Sequence, residues 1–274
     1  MRSYSAAAIQ LCSGGDKEKN LSAALELLRA AADEGAKLLV LPELFIFWGN
    51  LKAIRDVAEP IPGPTSDQLA DFASRHGVYI VAGSIPEQNS AKPYNTSLLI
   101  DSTGTIIAKY RKIHLIKNRV PDTRPYDEAD FISPGNPSQS PLCETELGTI
   151  ALSLCYDLRF PEFYIDLAVS GAKVLAVPSA LSVITGKAHW HTLVRARAIE
   201  AQCFVIAPNQ VDSPGKSTPC FGHSLIVDPW GEIIAELPAE TGIALAQIRL
   251  DEVDRVRSIL PSLSQRQISH EGVA

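Results

Sequence analysis

Cys155 is the residue of this 274-residue chain whose position best suits covalent chemistry. The apolar residues 150–154 (IALSL) precede it, and residues 155–162 (CYDLRFPE) lead into a predicted helix. Active sites of α/β folds lie at the C-terminal ends of parallel strands, and a sharp strand-to-helix turn aims backbone N–H groups at the same point. A thiol there could act as a nucleophile, with amides nearby for an oxyanion. The alternative is a buried structural cysteine, the usual fate of an unpaired thiol.

Glu43 and Lys112 are candidates for the acid–base and electrostatic parts of such a reaction. Glu43 follows Pro42 at the end of another apolar segment, where partial burial would raise its affinity for protons and suit it as a base or acid. An exposed glutamate that caps the next segment is the alternative. Lys112 lies within residues 109–115 (KYRKIHL), and it could instead be one cation of a solvated basic patch.

Short apolar segments alternate with helical patterns along the chain, and they would have to position these three residues. The predicted strands are residues 4–11, 38–41, 78–83, 150–155, 173–178 and 203–208. The predicted helices are residues 17–34, 66–76, 161–169 and 189–202. This strand–helix–strand order indicates βαβ units and a largely parallel core.

Two pairs of segments repeat in the same order and suggest an internal duplication. Residues 35–42 (GAKLLVLP) match residues 171–178 (GAKVLAVP) at five of eight positions, and residues 97–108 match residues 224–235 at seven of twelve. Chance convergence of two strand–turn patterns is the alternative. The duplication predicts an α/β fold in which two similar sheets pack face to face with helices outside. This is a four-layer αββα sandwich with internal pseudo-two-fold symmetry.

The predicted domain organisation is a single domain over residues 1–261, followed by a polar C-terminal tail over residues 262–274. Residues 117–141 are rich in Pro, Asp, Asn and Ser with little periodicity. Because loops this long in compact domains are usually functional or disordered, we predict a loop that borders the active site.

Composition and charge exclude several classes of protein. The net charge of −6 argues against a general nucleic-acid binder. The apolar residues 38–48 include a proline and a glutamate and are too short to span a membrane. Five scattered cysteines are not a disulfide framework and suit a reducing compartment, so we expect a cytoplasmic protein. His189 and His191 flank Trp190, but alternate helix residues do not share a face, and no metal site is predicted.

The segments around the three candidate residues resemble the nitrilase, or carbon–nitrogen hydrolase, superfamily. They occur in the family's order, and the resemblance extends from residue 8 to about residue 261. The segments are residues 41–45 (LPELF), 94–97 (YNTS), 110–115 (YRKIHL), 154–162 (LCYDLRFPE) and 222–231 (GHSLIVDPWG). The family's αββα sandwich matches the architecture inferred above.

The resemblance implies a role for each candidate residue. Glu43 would be the general base, Lys112 the cation on the tetrahedral intermediate and Cys155 the nucleophile. The backbone N–H of Tyr156 would be a second oxyanion donor. Glu128, which precedes the Ser–Pro–Gly block at residues 133–135, would be a second catalytic glutamate. The implied reaction proceeds through a thioester and requires no metal or organic cofactor.

The segment after Cys155 and residues 185–200 are similar to the branch that contains omega-amidases and deaminated-glutathione amidases. The implied substrate is a small carboxylated aliphatic amide, which would give an acid and ammonia. Arg159 and Lys187 are candidate partners for the substrate carboxylate, and Tyr94 is a further candidate substrate-binding residue. Hydrolysis of an N-carbamoyl compound, or a non-catalytic binding protein on the same fold, are the alternatives. By resemblance we expect a homodimer.

Overall fold

The structure, a computed structural model, describes residues 3–120, 126–212 and 219–267. Within these residues the chain forms fifteen strands and five α-helices. The strands are β1 (Ser3–Gln10), β2 (Ala36–Val40), β3 (Tyr79–Val81), β4 (Ile85–Glu87), β5 (Tyr94–Ile100), β6 (Ile106–Arg111), β7 (Lys117–Asn118), β8 (Tyr126–Asp127), β9 (Leu142–Thr145), β10 (Gly148–Leu152), β11 (Val174–Ala176), β12 (Phe204–Ala207), β13 (Leu225–Val227), β14 (Ile233–Glu236) and β15 (Gly242–Arg249). The helices are α1 (Lys17–Asp33), α2 (Pro64–His76), α3 (Pro161–Val169), α4 (Val183–Ala201) and α5 (Leu250–Ile259), with 3₁₀ turns at Leu51–Val57, Glu128–Asp130 and Cys155–Arg159.

The strands form two large sheets with matching topology. The first runs β15-β1-β2-β3-β5-β4, with β6 also paired to β5, and the second runs β14-β13-β12-β11-β10-β9. In the first, β1, β2 and β3 are parallel and flanked by antiparallel strands, as are β10, β11 and β12 in the second. Each half therefore repeats one arrangement, which agrees with the duplication predicted from the sequence.

Alternate side chains of the central strands face different layers. In β1, Ala6 and Ala8 pack between the two sheets, whereas Ala7 and Ile9 pack with residues of α1 and α2. In β11, Val174 packs between the sheets and Leu175 packs with residues of α3 and α4. The order of layers is therefore helices, sheet, sheet, helices, and the predicted αββα sandwich is confirmed.

Each predicted strand and helix overlaps an observed element, but one boundary is wrong by six residues. The sequence predicts a helix from residue 189, whereas α4 begins at Val183. The predicted helix omits residues 183–188, which include Gly186, a residue that disfavours helices. Its place inside the helix has a steric cause, because a Cβ there would lie 2.4 Å from the Cβ of Phe221.

The segment predicted as a loop over residues 117–141 contains the short strands β7 and β8 and a 3₁₀ turn, and residues 121–125 of it lie outside the described residues. Of the predicted tail, residues 268–274 also lie outside them, and the domain boundary at residue 261 stays a prediction. In the part of the chain that the structure describes, no helix is long and apolar enough to cross a membrane.

Candidate active site

The ammonium group of Lys112 lies between two carboxylates in the interior of the protein. Its Nζ is 2.8 Å from Oε1 of Glu43, and 3.1 Å and 3.0 Å from the two carboxylate oxygens of Glu128. Only 1% of the Lys112 surface is exposed, and both glutamates are buried. Lys112 follows β6, Glu43 follows β2, and Glu128 begins a 3₁₀ turn. Three separate elements thus meet at one buried cation.

Glu43 is fixed through its side chain and through its backbone. Asn95 of β5 donates a hydrogen bond from Nδ2 to the Glu43 carboxylate at 2.9 Å. Leu44 has φ of +49°, and its N–H donates to Oγ of Ser84 at 2.8 Å. Gln210, from the second half of the chain, donates to the Glu43 carbonyl at 3.1 Å. These contacts hold the carboxylate at the place where the two halves meet.

Glu128 holds Lys112 with both carboxylate oxygens, and its Oε2 also accepts the N–H of Ile116 at 2.9 Å. Burial raises the pKa of Glu128, Lys112 lowers it, and the neighbouring charge of Glu43 raises it; the net direction is upward. Burial alone would lower the pKa of Lys112, but the charges of Glu128 and Glu43 raise it well above its ordinary value. Lys112 is therefore a permanent ammonium ion.

Cys155 starts the 3₁₀ turn that follows β10, with φ of +42° and its N–H donating to Pro178 at 2.9 Å. The predicted strand to residue 155 is thus wrong at its end, since β10 stops at Leu152. The thiol is buried, and Glu43 is close enough for its negative charge to act on it. Burial, and then the negative charge of Glu43, raise the pKa of Cys155 well above its ordinary value, although Lys112 opposes them. The thiol is therefore protonated at neutral pH, and a reaction at its sulfur needs a base.

The Tyr156 N–H lies in the first turn of the same 3₁₀ helix. The N–H groups of a first turn have no acceptor within the helix, so they can be offered to a ligand. This arrangement suits an anion that forms beside the Cys155 sulfur.

Asp157 is a buried residue that sequence reasoning missed. Its Oδ2 accepts hydrogen bonds from the Leu154 N–H and the Tyr110 hydroxyl, each at 2.7 Å. Its Oδ1 is 2.7 Å from Nδ1 of His114. Tyr110 and His114 stand two positions before and after Lys112. The polar side chains on either side of Lys112 were the available signal. Asp157 thereby ties the turn at Cys155 to the strand that leads to Lys112.

The three predicted substrate-binding residues occupy different places. Arg159 is half-buried in the 3₁₀ turn, 5.7 Å over the Tyr156 ring and 3.4 Å from Nδ1 of His189. Lys187 is exposed on α4. Tyr94 does not join the cluster: its ring lies under the Arg111 guanidinium at 4.1 Å. Because neighbouring residues of a strand point to opposite faces, Asn95 is the residue of β5 that reaches Glu43.

Comparison with known proteins agrees with this geometry. The family description "Carbon-nitrogen hydrolase" matches residues 5–258. The chain is 40% identical over 269 residues to the deaminated glutathione amidase of Synechocystis sp., covering 97% of this chain and 99% of the relative. It is 36% identical over 267 residues to the omega-amidase NIT2 of Homo sapiens, covering 97% and 96%. The crystal structure of Saccharomyces cerevisiae Nit3, a member of branch 10 of the nitrilase superfamily, matches with a TM-score of 0.87 and 33% identity over 97% of each chain. The predicted resemblance is confirmed.

The contacts of Asp157 predict that Asp157→Ala lowers both stability and turnover. Two buried donors, the Leu154 N–H and the Tyr110 hydroxyl, would lose their acceptor, at about 1–3 kcal/mol each. Urea unfolding should measure this loss. Asp157→Asn is the matched control: its amide oxygen can still accept from both donors, so it should lose less than half as much. Equal stability of the alanine variant and the wild type would show that Asp157 does not anchor the turn.

Proposed function

We propose that this chain, which belongs to the carbon–nitrogen hydrolase family, hydrolyses a small carboxylated aliphatic amide through a thioester on Cys155. The observation that carries this proposal is the convergence of Glu43, Lys112 and Glu128 on one buried point beside the Cys155 thiol. Burying an ammonium ion and two carboxylates costs several kcal/mol per ion before their pairing offsets it. A binding protein on the same fold has no use for that arrangement beside a thiol, whereas an acyl-transfer enzyme has.

In the first step Glu43 accepts the proton of the Cys155 thiol while the sulfur attacks the amide carbonyl. With both glutamates ionised, the buried cluster carries a net charge of −1. Transfer of the proton within the cluster leaves this charge unchanged. Loss of the same proton to water would change the net charge of the buried cluster from −1 to −2. Burial and the charge of Glu43 oppose this change, and they raise the pKa of Cys155 for the same reason. General-base catalysis by Glu43 is therefore the favoured route.

The carbonyl oxygen then becomes an oxyanion, which Lys112 and the Tyr156 N–H stabilise. Removal of one hydrogen-bond donor to such an oxyanion typically raises the activation barrier by roughly 3–4 kcal/mol. Glu128 acts as a positioning residue, because its two oxygens hold the Lys112 ammonium in place. Glu43 returns the proton to the leaving nitrogen, the carbon–nitrogen bond breaks, and a thioester remains on Cys155. Glu43 then takes a proton from water, and the resulting hydroxide attacks the thioester carbonyl. The carbon–sulfur bond breaks, the acid leaves, and Glu43 returns the proton to the Cys155 sulfur.

The substrate class rests on the relatives and on two cationic side chains, Arg159 and Lys187. Two relatives carry the names deaminated glutathione amidase and omega-amidase. Arg159 lies four positions after the nucleophile and contacts His189, so it is our first candidate for binding a substrate carboxylate. Lys187 is a second candidate. An omega-amide releases ammonia, whereas an amide substituted at nitrogen, as in a glutathione derivative, releases an amine.

The proposal predicts amide turnover that requires Cys155. Purified protein is incubated with α-ketoglutaramate, deaminated glutathione, an N-carbamoyl amino acid, a nitrile and a neutral amide of similar length. Both ammonia and free primary amine are measured. We expect product from one of the first two substrates, at least 10-fold less from the neutral amide, and none with Cys155→Ala. Cys143→Ala, a half-buried thiol outside the site, is the matched control and should keep full activity.

Each contrary outcome is informative. Turnover of the N-carbamoyl amino acid alone would replace the substrate class but keep the Cys155 mechanism. Undiminished turnover by Cys155→Ala would remove Cys155 from the reaction. No product from any substrate, with a folded protein, would favour the binding-protein alternative.

The role of Glu43 predicts two separate effects of Glu43→Gln. Amide turnover should fall by at least about 100-fold, because the general base is lost. The pKa of Cys155 should fall, because a negative charge beside the thiol is removed while Lys112 remains. The pH dependence of alkylation by iodoacetamide, followed by mass spectrometry, measures that shift. Glu59→Gln, a buried carboxylate paired with Lys17, is the control and should move neither quantity. A thiol titration that is unchanged in Glu43→Gln would contradict the proposed contact.

We also propose that the chain forms a homodimer and resides in the cytoplasm. Large apolar side chains are exposed on the helices of the second half, including Val169 of α3, Ile199 of α4 and Ile259 of α5. A second copy of the chain that packed against these helices would cover these side chains. The thiols of Cys143, Cys155, Cys203 and Cys220 suit a reducing compartment. Sedimentation equilibrium should give twice the chain mass of 29.6 kDa. A single mass of 29.6 kDa would contradict the dimer.

A further inference from the structure

Two histidines and a glutamate converge outside the proposed catalytic cluster. His191 lies on α4, His223 precedes β13, and Glu236 ends β14. Both imidazoles face the same carboxylate oxygen: Nε2 of His191 is 2.8 Å from Oε1 of Glu236, and Nδ1 of His223 is 3.0 Å from it. All three candidate ligand atoms lie within 4.8 Å of one another. None of these residues has a part in the proposed amide hydrolysis.

We propose that these residues, the His191–His223–Glu236 site, bind a divalent transition-metal ion such as Zn²⁺. Two imidazole nitrogens and one carboxylate oxygen are a donor set that suits zinc and its neighbours in the first transition row. Metal–ligand bonds of 2.0–2.2 Å at tetrahedral angles place ligand atoms roughly 3.4 Å apart. The distances from Glu236 Oε1 to the two imidazole nitrogens are a few tenths of an ångström shorter than this. Small outward movements of these side chains would therefore make room for the ion.

The backbone and the neighbouring rings already hold both imidazoles in position. His223 has φ of +57° and follows Gly222, whose φ is +71°. The His223 carbonyl accepts a hydrogen bond from the indole N–H of Trp190 at 2.7 Å, which ties it to the buried residue next to His191 on α4. The ring of Phe221 stacks on His223 at 4.4 Å and meets the edge of His191 at 6.0 Å. Ligands that are fixed before the ion arrives lose little conformational freedom when it binds.

The site is open enough for an ion to enter. The side chains of His191, His223 and Glu236 are 36%, 29% and 32% exposed, so water can complete the coordination. In the metal-free protein, an imidazole N–H can donate to Glu236. On binding, a proton on a coordinating nitrogen moves to the other nitrogen of the same ring. If that second nitrogen is already protonated, the proton goes to water. The metal binds the lone pair of the deprotonated nitrogen, and no oxidant or reductant is needed.

The bound ion would join elements that are distant in sequence. Glu236 lies 45 positions after His191 and 13 after His223. The ion would therefore clamp α4 to the β13–β14 hairpin. We assign it a structural role, because the proposed reaction uses no atom of this site.

Zinc titration of protein without an affinity tag tests the site. Isothermal titration calorimetry with ZnCl₂ should give one ion per chain, and zinc should raise the melting temperature. Glu236→Gln and His191→Ala should each weaken zinc binding by at least about 10-fold. Loss of a group that only supports a metal ligand already weakens binding by about this factor. His76→Ala, a partly exposed histidine of α2, is the matched control and should bind as the wild type does.

Cobalt substitution separates this site from the catalytic thiol. With CoCl₂ we expect the weak visible bands of nitrogen and oxygen ligands, retained in Cys155→Ala and lost in Glu236→Gln. Loss of the ion in Cys155→Ala, or intense thiolate charge-transfer absorption, would assign the metal to the thiol and overturn the proposal. Equal zinc affinity of Glu236→Gln and the wild type would also overturn it. Neither readout uses turnover, so failure here leaves the proposed amide hydrolysis intact.

Discussion

The buried ammonium of Lys112 is the constraint on which the rest of the site depends. Glu43 and Glu128 both compensate its charge in the interior, and removal of one partner of a buried ion pair typically costs about 3–5 kcal/mol. The end of β2, the end of β6 and the 3₁₀ turn at Glu128 must therefore keep one relative position. The same pairing that holds these elements together also leaves a cation and a carboxylate near the Cys155 thiol.

The internal repeat explains the frame of the site but not its chemistry. The two halves supply equivalent strands, yet Ser179 stands in the second half where Glu43 stands in the first. Glu43, Lys112 and Glu128 come from the first half and Cys155 from the second. The hydrogen bond from Gln210 to the Glu43 carbonyl crosses between the halves. A symmetric scaffold thus carries an asymmetric site.

Much of the fold and of the candidate site could be predicted because it depends on short segments of sequence. Apolar segments and the glycines after helices predicted the elements, and the segments around Glu43, Lys112 and Cys155 predicted which side chains would meet. What could not be predicted depends on contacts between distant residues. The glycine inside α4 is explained by Phe221, which leaves no room for a Cβ at position 186. The alternation of β5, which turns Asn95 toward Glu43 and leaves Tyr94 against Arg111, depends on where that strand sits in its sheet.

Backbone strain gives an independent guide to the places where function constrains this fold. Among the described residues, four non-glycine residues have positive φ: Leu44, Cys155, Gln202 and His223. Gln202 has a structural reason, because it caps α4 in the left-handed conformation. Leu44 and Cys155 flank the proposed reaction, where such strain typically persists only if the surroundings enforce it. His223 lies outside that cluster, and its carbonyl accepts the indole N–H of Trp190. Its conformation aims the imidazole at Glu236, as the proposed metal site requires.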